Sequence, residues 1–253
     1  MGGYILLFWP IIAPLLVLFF KAGFYSSLFI FFIIPSLYLS IINRRVLKRL
    51  VLFSVIFLPI TIAIDYIMEF TQGWHVSSIT ESYRIFGYAS LENVVWAFVF
   101  IYFVVAFYET FLHDHIHPKI YYPQIKYLIL LVFILSSIFL LELVIDPILL
   151  NINYFYLKFG LLLFIPPIIF ILWKAPHIWR KLIKTELYFF FLFFGYELTA
   201  LNLNQWAFPV KDQLLGFITI GRVRFPYEEF IFWILLSAMA IVSYFEIFDD
   251  DGR

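Results

Sequence analysis

Two adjacent glutamates, Glu228 and Glu229, stand in the stretch GRVRFPYEEFIFW, between two arginines and a long apolar run. Three further acids mark the ends of other apolar runs: Asp65 in AIDYIMEFTQGW, Glu92 in SLENVVW and Glu197 in GYELTALNLNQW. Ionisable groups in membrane segments are costly, and where they persist they bind, relay or transfer charge. Carboxyl groups kept from water among aromatics favour the neutral acid, and two adjacent carboxyls disfavour double ionisation. A helix dipole, or a neighbour such as Arg222 or Arg224, favours the ionised form instead. Either glutamate is therefore a candidate proton donor. A plainer reading stands beside this one, because proline at the first helical position and acids in the first turn simply start a helix. Trp74, Trp206, Tyr66, Tyr196, Tyr227, Trp96 and Trp233 gather around the acids in sequence. Such residues belong to membrane interfaces, but their ring faces can also stabilise a cation.

The elements that must hold these residues are membrane helices. The 253-residue chain is 64% hydrophobic, 23% aromatic and 13% charged, against about 25% charged in soluble domains. Its net charge of zero offers no field for nucleic acid. It has no cysteine, which excludes disulfides and thiolate sites. The opening MGGYILLFW lacks a basic leader and cleavage site and reads as a first span. Eight segments suit spans of about 20 apolar residues: roughly 4–20, 24–43, 50–68, 91–111, 127–146, 154–173, 185–201 and 227–247. Their continuous apolar length, without period-two alternation, predicts helices rather than a barrel. The expected fold is all-α, a polytopic transmembrane bundle of about eight helices.

Basic residues orient such a bundle. Arg44, Arg45, Lys48 and Arg49 follow the second span, Lys119 and Lys126 the fourth, and Lys174, Arg180, Lys181 and Lys184 the sixth. That side, with both termini, is expected to be cytoplasmic, and the acids to lie at the opposite face.

The chain also resembles itself. A shift of 132 residues brings Pro35 onto Pro167, Lys48-Arg49 onto Arg180-Lys181, Asp65 onto Glu197 and Trp74 onto Trp206. After four extra residues, SLENVVW aligns with PYEEFIF, and AFYETF at 106–111 corresponds to SYFEIF at 243–248. This predicts two parallel tandem repeats of four helices, 1–118 and 119–253, forming one integral bundle with paired half-sites about an axis along the membrane normal.

Other motifs carry less. His113, His115 and His117 alternate in HDHIHP, on the side away from the acids, and read as a solvated loop rather than a metal site. GFITIG is followed by Arg222 and is no phosphate loop. No GxGxxG fingerprint for a flavin or nicotinamide is present.

The paired segments IDYIMEFTQGW…SLENVVW and YELTALNLNQW…FPYEEFIFW resemble the membrane-integral lycopene cyclases, of the heterodimeric bacterial and the fused archaeal and fungal type. In that family an Asp precedes a Gly-x-Trp, and a Pro-x-Glu-Glu opens an aromatic-rich helix. Pro226, Glu228 and Glu229 match the second motif, and Asp65 and Trp74 the first. Ser90 and Asn93 depart from it in the first copy, and Glu197 and Gln205 in the second. The resemblance covers roughly 24–111 and 154–248.

It implies a carotenoid cyclase that closes rings on a linear carotenoid such as lycopene, without redox change and without a cofactor. It assigns Glu228 or Glu229 as the acid, with Asp65, Glu92 and Glu197 as acid/base partners. The substrate contacts would be Trp74, Trp206, Tyr66, Tyr196, Pro226, Tyr227 and Trp96. The expected partners are a lipophilic carotenoid, membrane lipid and other carotenoid-pathway enzymes, in the cell membrane of a prokaryote. Two other readings remain: a small transporter or channel, and a non-catalytic carotenoid-binding subunit.

Overall fold

A computed structural model describes residues 3–77, 83–112, 125–209 and 212–248. The helices are α1 Gly3–Phe20, α2 Phe24–Ile42, α3 Leu47–Phe70, α4 Leu91–Phe111, α5 Ile125–Ile145, α6 Phe155–Lys174, α7 Trp179–Asn202 and α8 Ser237–Phe248. Five of them, α2 to α6, are long and apolar enough to cross a membrane. The shorter α1 and α8 are apolar too, and α7 is 24 residues long with Arg180, Lys181 and Lys184 in its first turns. Large apolar side chains remain on the outside, Phe19, Phe133, Val144 and Leu162 among them, as a bundle bathed in hydrocarbon requires. Lys126 lies over Tyr127, Lys174 over Trp173 and Arg180 over Trp179, pairings that suit a membrane–water boundary.

Prolines inside the helices leave backbone carbonyls without donors, and lipid would not supply them. Pro10 has no N–H for the carbonyl of Leu6, and the Tyr188 hydroxyl of α7 donates to that oxygen at 2.9 Å. Gly195 makes this close packing of α1 on α7 possible, since a Cβ there would lie 2.7 Å from Pro14. In α2 a π-helical turn covers Phe29–Ile33. In such a turn the partner of Ile30 would be residue 35, a proline, and the Trp9 indole N–H donates to the Ile30 carbonyl at 3.1 Å instead.

α4 is the central helix: Phe100, Phe103, Val104, Val105, Ala106 and Tyr108 are all buried. At one end of the bundle Asn43 donates to the Ala106 carbonyl and to Thr110, Arg49 pairs with Glu109 at 2.8 Å, and the Tyr108 hydroxyl bonds Glu246. The basic residues Arg44 to Arg49 belong to this end. At the other end Gln205 donates to the Ala22 carbonyl and to Ser27, and Trp74 meets Tyr156. Asp65, Glu92, Glu197, Glu228 and Glu229 all gather there. These five acids thus lie at the end opposite the Arg44–Arg49 cluster, as expected. Lys119 and the histidines of HDHIHP lie outside the described residues.

The all-α expectation is met except at the acidic end, which carries two short antiparallel pairs. β1 His75–Val76 joins β2 Trp206–Ala207, and β3 Phe217–Ile220 joins β4 Val223–Pro226. The second pair accounts for GFITIG. Gly221, at φ 61°, begins a two-residue turn between Ile220 and Val223, a geometry that favours glycine. The last predicted span, 227–247, is also not one regular helix. A π-helical turn, Glu229–Ile234, precedes α8.

Candidate functional site

Asp65 is fully buried on α3, and four donors converge on it. Its Oδ1 accepts from the Trp74 indole N–H at 2.9 Å and the Asn93 amide at 2.6 Å. Its Oδ2 accepts from the Ser90 backbone N–H at 2.6 Å and the Ser90 hydroxyl at 3.2 Å. Ser90 in turn caps α4, accepting from the Asn93 N–H. Asp65 is therefore saturated, and it locks the start of α4 to the end of α3. Glu69, one turn on, takes the Val76 N–H, His75 and Arg84, which ties the following loop down.

Glu197 on α7 stands in a similar setting with a different outcome. It accepts from the Trp206 indole N–H at 3.2 Å, as Asp65 does from Trp74. Its second neighbour is not an amide but another carboxyl, that of Glu229, which stands within hydrogen-bonding reach. Two carboxylates this close repel, whereas an acid and a carboxylate can share a proton. The Tyr156 hydroxyl donates to the Glu229 carboxyl from α6. The pair therefore suits the holding of a proton, with two hydrogen-bond donors, Trp206 and Tyr156, beside it.

This pair opens on a cavity. Glu197, Glu229 and Asn93 line it together with Trp74, Trp96, Trp206 and Trp233, Phe24, Phe100, Phe193, Phe208, Tyr196, Val76 and Ile234. The space amounts to about 640 Å³ including its open mouth. Its rings are packed at angles: Trp96 stacks on Phe100 at 4.9 Å, and Trp233 stands edge-on to both at 5.2 and 5.8 Å. The Tyr196 hydroxyl has no partner among the described residues. A carboxyl pair among aromatic faces suits the protonation of an apolar molecule and the holding of the cation that results. Among the described residues no three His, Cys, Asp or Glu side chains form a metal-binding group.

The structure sorts the candidates from the sequence. Glu197, Glu229, Trp74, Trp96, Trp206 and Tyr196 meet at the cavity. Asp65 stands behind it, reached through Trp74 and Asn93. Glu228 does not line it: the helical turn points Glu228 away from Glu229, and its Oε1 accepts the Leu215 N–H at 2.7 Å. Glu92, one residue before Asn93, is buried on another side of α4 and does not line it either. Tyr66 packs with Phe70, Tyr88 and Phe139 in a separate cluster. Tyr227 is 45% exposed and covers Gly216. Pro226 ends β4 rather than standing inside a helix.

Sequence reading missed Tyr156, because nothing nearby marks it: it opens α6 some 70 residues before Glu229. Phe24, Phe100, Phe193 and Phe208 are hidden among 34 phenylalanines. Asn93 was visible only as a departure from a motif. No family model matches the chain, and no curated protein or solved structure matches it.

Proposed function

We propose that this protein is a carotenoid cyclase of the membrane-integral lycopene cyclase type, with Glu229 as its acid. The observation that carries the reading is the buried Glu229–Glu197 carboxyl pair facing a cavity of tryptophan and phenylalanine rings. Glu229 gives its proton to the inner CH carbon of a terminal double bond, leaving a tertiary cation on the outer, dimethyl carbon. The neighbouring internal double bond supplies two electrons to form the ring C–C bond, which moves the positive charge into the ring. A ring C–H then loses its proton to a carboxylate of the pair, and the acid is restored. Atoms and electrons balance without oxidant or reductant, so the product has the mass of the substrate. Proton transfer of this kind is general acid–base catalysis, and the ring faces hold the intermediate charge.

The tandem-repeat reading supports the same site. His75 pairs with Ala207 and Val76 with Trp206, and His75 and Ala207 are also equivalent under the 132-residue shift. Trp74 packs on Tyr156 at 5.5 Å, and Trp206 on Phe24 at 6.4 Å; Tyr156 and Phe24 are equivalent under that shift too. Such reciprocal contacts are what an approximate twofold axis produces. Between Ser90 and Pro226 the offset is 136 residues, and between Ala106 and Ser243 it is 137. The π-helical turn at Glu229–Ile234 accommodates the extra residue, as π-bulges at functional sites commonly do. On this reading Asp65, Trp74 and Asn93 are the fixed counterpart of Glu197, Trp206 and Glu229. An amide in one half donates permanently; a carboxyl in the other can give its proton away.

Expression in lycopene-accumulating bacteria tests the reaction. The expected result is a cyclic pigment of unchanged mass, and one deuterium per closed ring when isolated membranes convert unlabelled lycopene in heavy water. Unlabelled product, or a lycopene pool left unchanged despite membrane expression, would sink the proposal. Glu228→Gln separates the two adjacent acids. The glutamine keeps an oxygen for the Leu215 N–H, so the change costs about 1 kcal/mol, a factor of roughly five, in stability or rate. A complete loss of ring closure in well-folded Glu228→Gln protein would move the acid to Glu228.

A further inference from the structure

A second cavity lies directly beside the first. It is lined by Phe57, Ile60, Thr61 and Ile64 of α3, Ala97, Phe100 and Ile101 of α4, Leu128, Leu131, Val132 and Leu135 of α5, Leu163 and Phe164 of α6, and Trp233, Ala240, Ile241 and Tyr244 at the last helix. Its space is about 710 Å³ including its mouth. Phe100 and Trp233 belong to the walls of both cavities, so two rings, edge to face at 5.8 Å, are the partition between them.

The lining offers no charge, and the Thr61 hydroxyl is already spent on the Phe57 carbonyl at 3.0 Å. The last helical segment links the two spaces. Glu229 and Trp233 stand on its π-helical turn, and Ala240 and Tyr244 on α8. On α4, Trp96 faces the first cavity, Ala97 and Ile101 the second, and Phe100 both. Part of the outer wall is Leu131 of α5, which is half-exposed towards the hydrocarbon side.

We infer that the second cavity holds the long polyene tail of a substrate whose end group is in the first, with Phe100 and Trp233 as the partition the chain passes. This rests on the carotenoid reading of the acid pair. The continuity of the two walls favours a substrate tail over a lipid acyl chain, because a lipid occupant would need no shared rings with the acid site. The same π-helical turn carries both Glu229 and Trp233, so the acid and the partition are set by one backbone feature.

The test uses the full chain carrying Glu229→Gln, purified in detergent from lycopene-accumulating cells, with bound lycopene read by absorbance per protein. The parent is expected to retain lycopene. Ala240→Phe and Leu135→Trp, which fill the second cavity, should lower it by tenfold or more at unchanged gel-filtration profile. Ala240→Val, a smaller filling that keeps the fold should the larger ones fail, should lower it in part. Val144→Phe, on a side chain 82% exposed at the outside, should retain it. Filled variants that hold as much lycopene as the parent overturn the inference, as does a parent that carries phospholipid and no lycopene. The reaction is judged separately in protein with Glu229 intact. Lycopene bound but never cyclised there, and lost on filling, supports the cavity and overturns the reaction.

Discussion

Glu229→Gln is expected to lower ring closure by about 10²–10⁴-fold, the range attributed to a positioned general acid. Glutamine is nearly the same shape, and its amide can donate to Glu197 and its oxygen can accept from Tyr156. The fold should therefore survive: the first half of the molecule already contains such an arrangement, with Asn93 donating to Asp65 at 2.6 Å. What is lost is the transferable proton. The measurement is pigment composition together with thermal stability of the purified protein. Activity within threefold of the parent would remove Glu229 from the mechanism, and a collapse in stability would show that the pair is structural rather than chemical.

Asp65→Ala should act the other way, through the fold. Its carboxyl accepts from the Trp74 indole, the Asn93 amide, the Ser90 hydroxyl and the Ser90 backbone N–H, all shielded from water. Removing the acceptor orphans those donors, and each buried unsatisfied group costs about 1–3 kcal/mol. With partial relaxation the total is expected to reach about 3–5 kcal/mol, comparable to breaking a buried charged network. The melting temperature in detergent should fall sharply and the yield with it. Asp65→Asn keeps one acceptor oxygen and should lie between. If Asp65→Ala melted with the parent yet lost ring closure, Asp65 would belong to the chemistry instead of the framework. The contrast with Glu229→Gln gives two signatures, one kinetic and one thermodynamic, for two acids that occupy similar sequence positions.

The helices were largely legible because their signal is one-dimensional. Continuous apolar runs such as Leu91–Phe111 and Ile125–Ile145 cannot be anything else at that length. The gathering of acids at one end was legible too, since each helix reverses the direction of the last. Pairing was not. The neighbouring letters Glu228 and Glu229 look interchangeable, yet about 100° of helical rotation sends one to the Leu215 backbone and the other to the cavity. Tyr227, Pro226, Tyr66 and Glu92 looked equally suited to the site by proximity in sequence. Exposure for Tyr227, a strand end for Pro226, a separate aromatic cluster for Tyr66 and burial on another side of α4 for Glu92 took them elsewhere. Tyr156 arrived from a helix whose sequence carries no sign of the role.

By itself, then, the amino-acid order determined the class of the molecule, the positions of its apolar helices, the placement of the five candidate acids away from the Arg44–Arg49 cluster, and a short set of acids and aromatics. These follow from local composition and from periodic burial, which need no knowledge of what packs on what. Only the tertiary structure decided which carboxyls touch. It gave Asp65 four donors and no freedom, and set a second carboxyl, that of Glu229, beside Glu197. That difference depends on a few ångströms between side chains on separate helices, a quantity that no spacing along the chain contains.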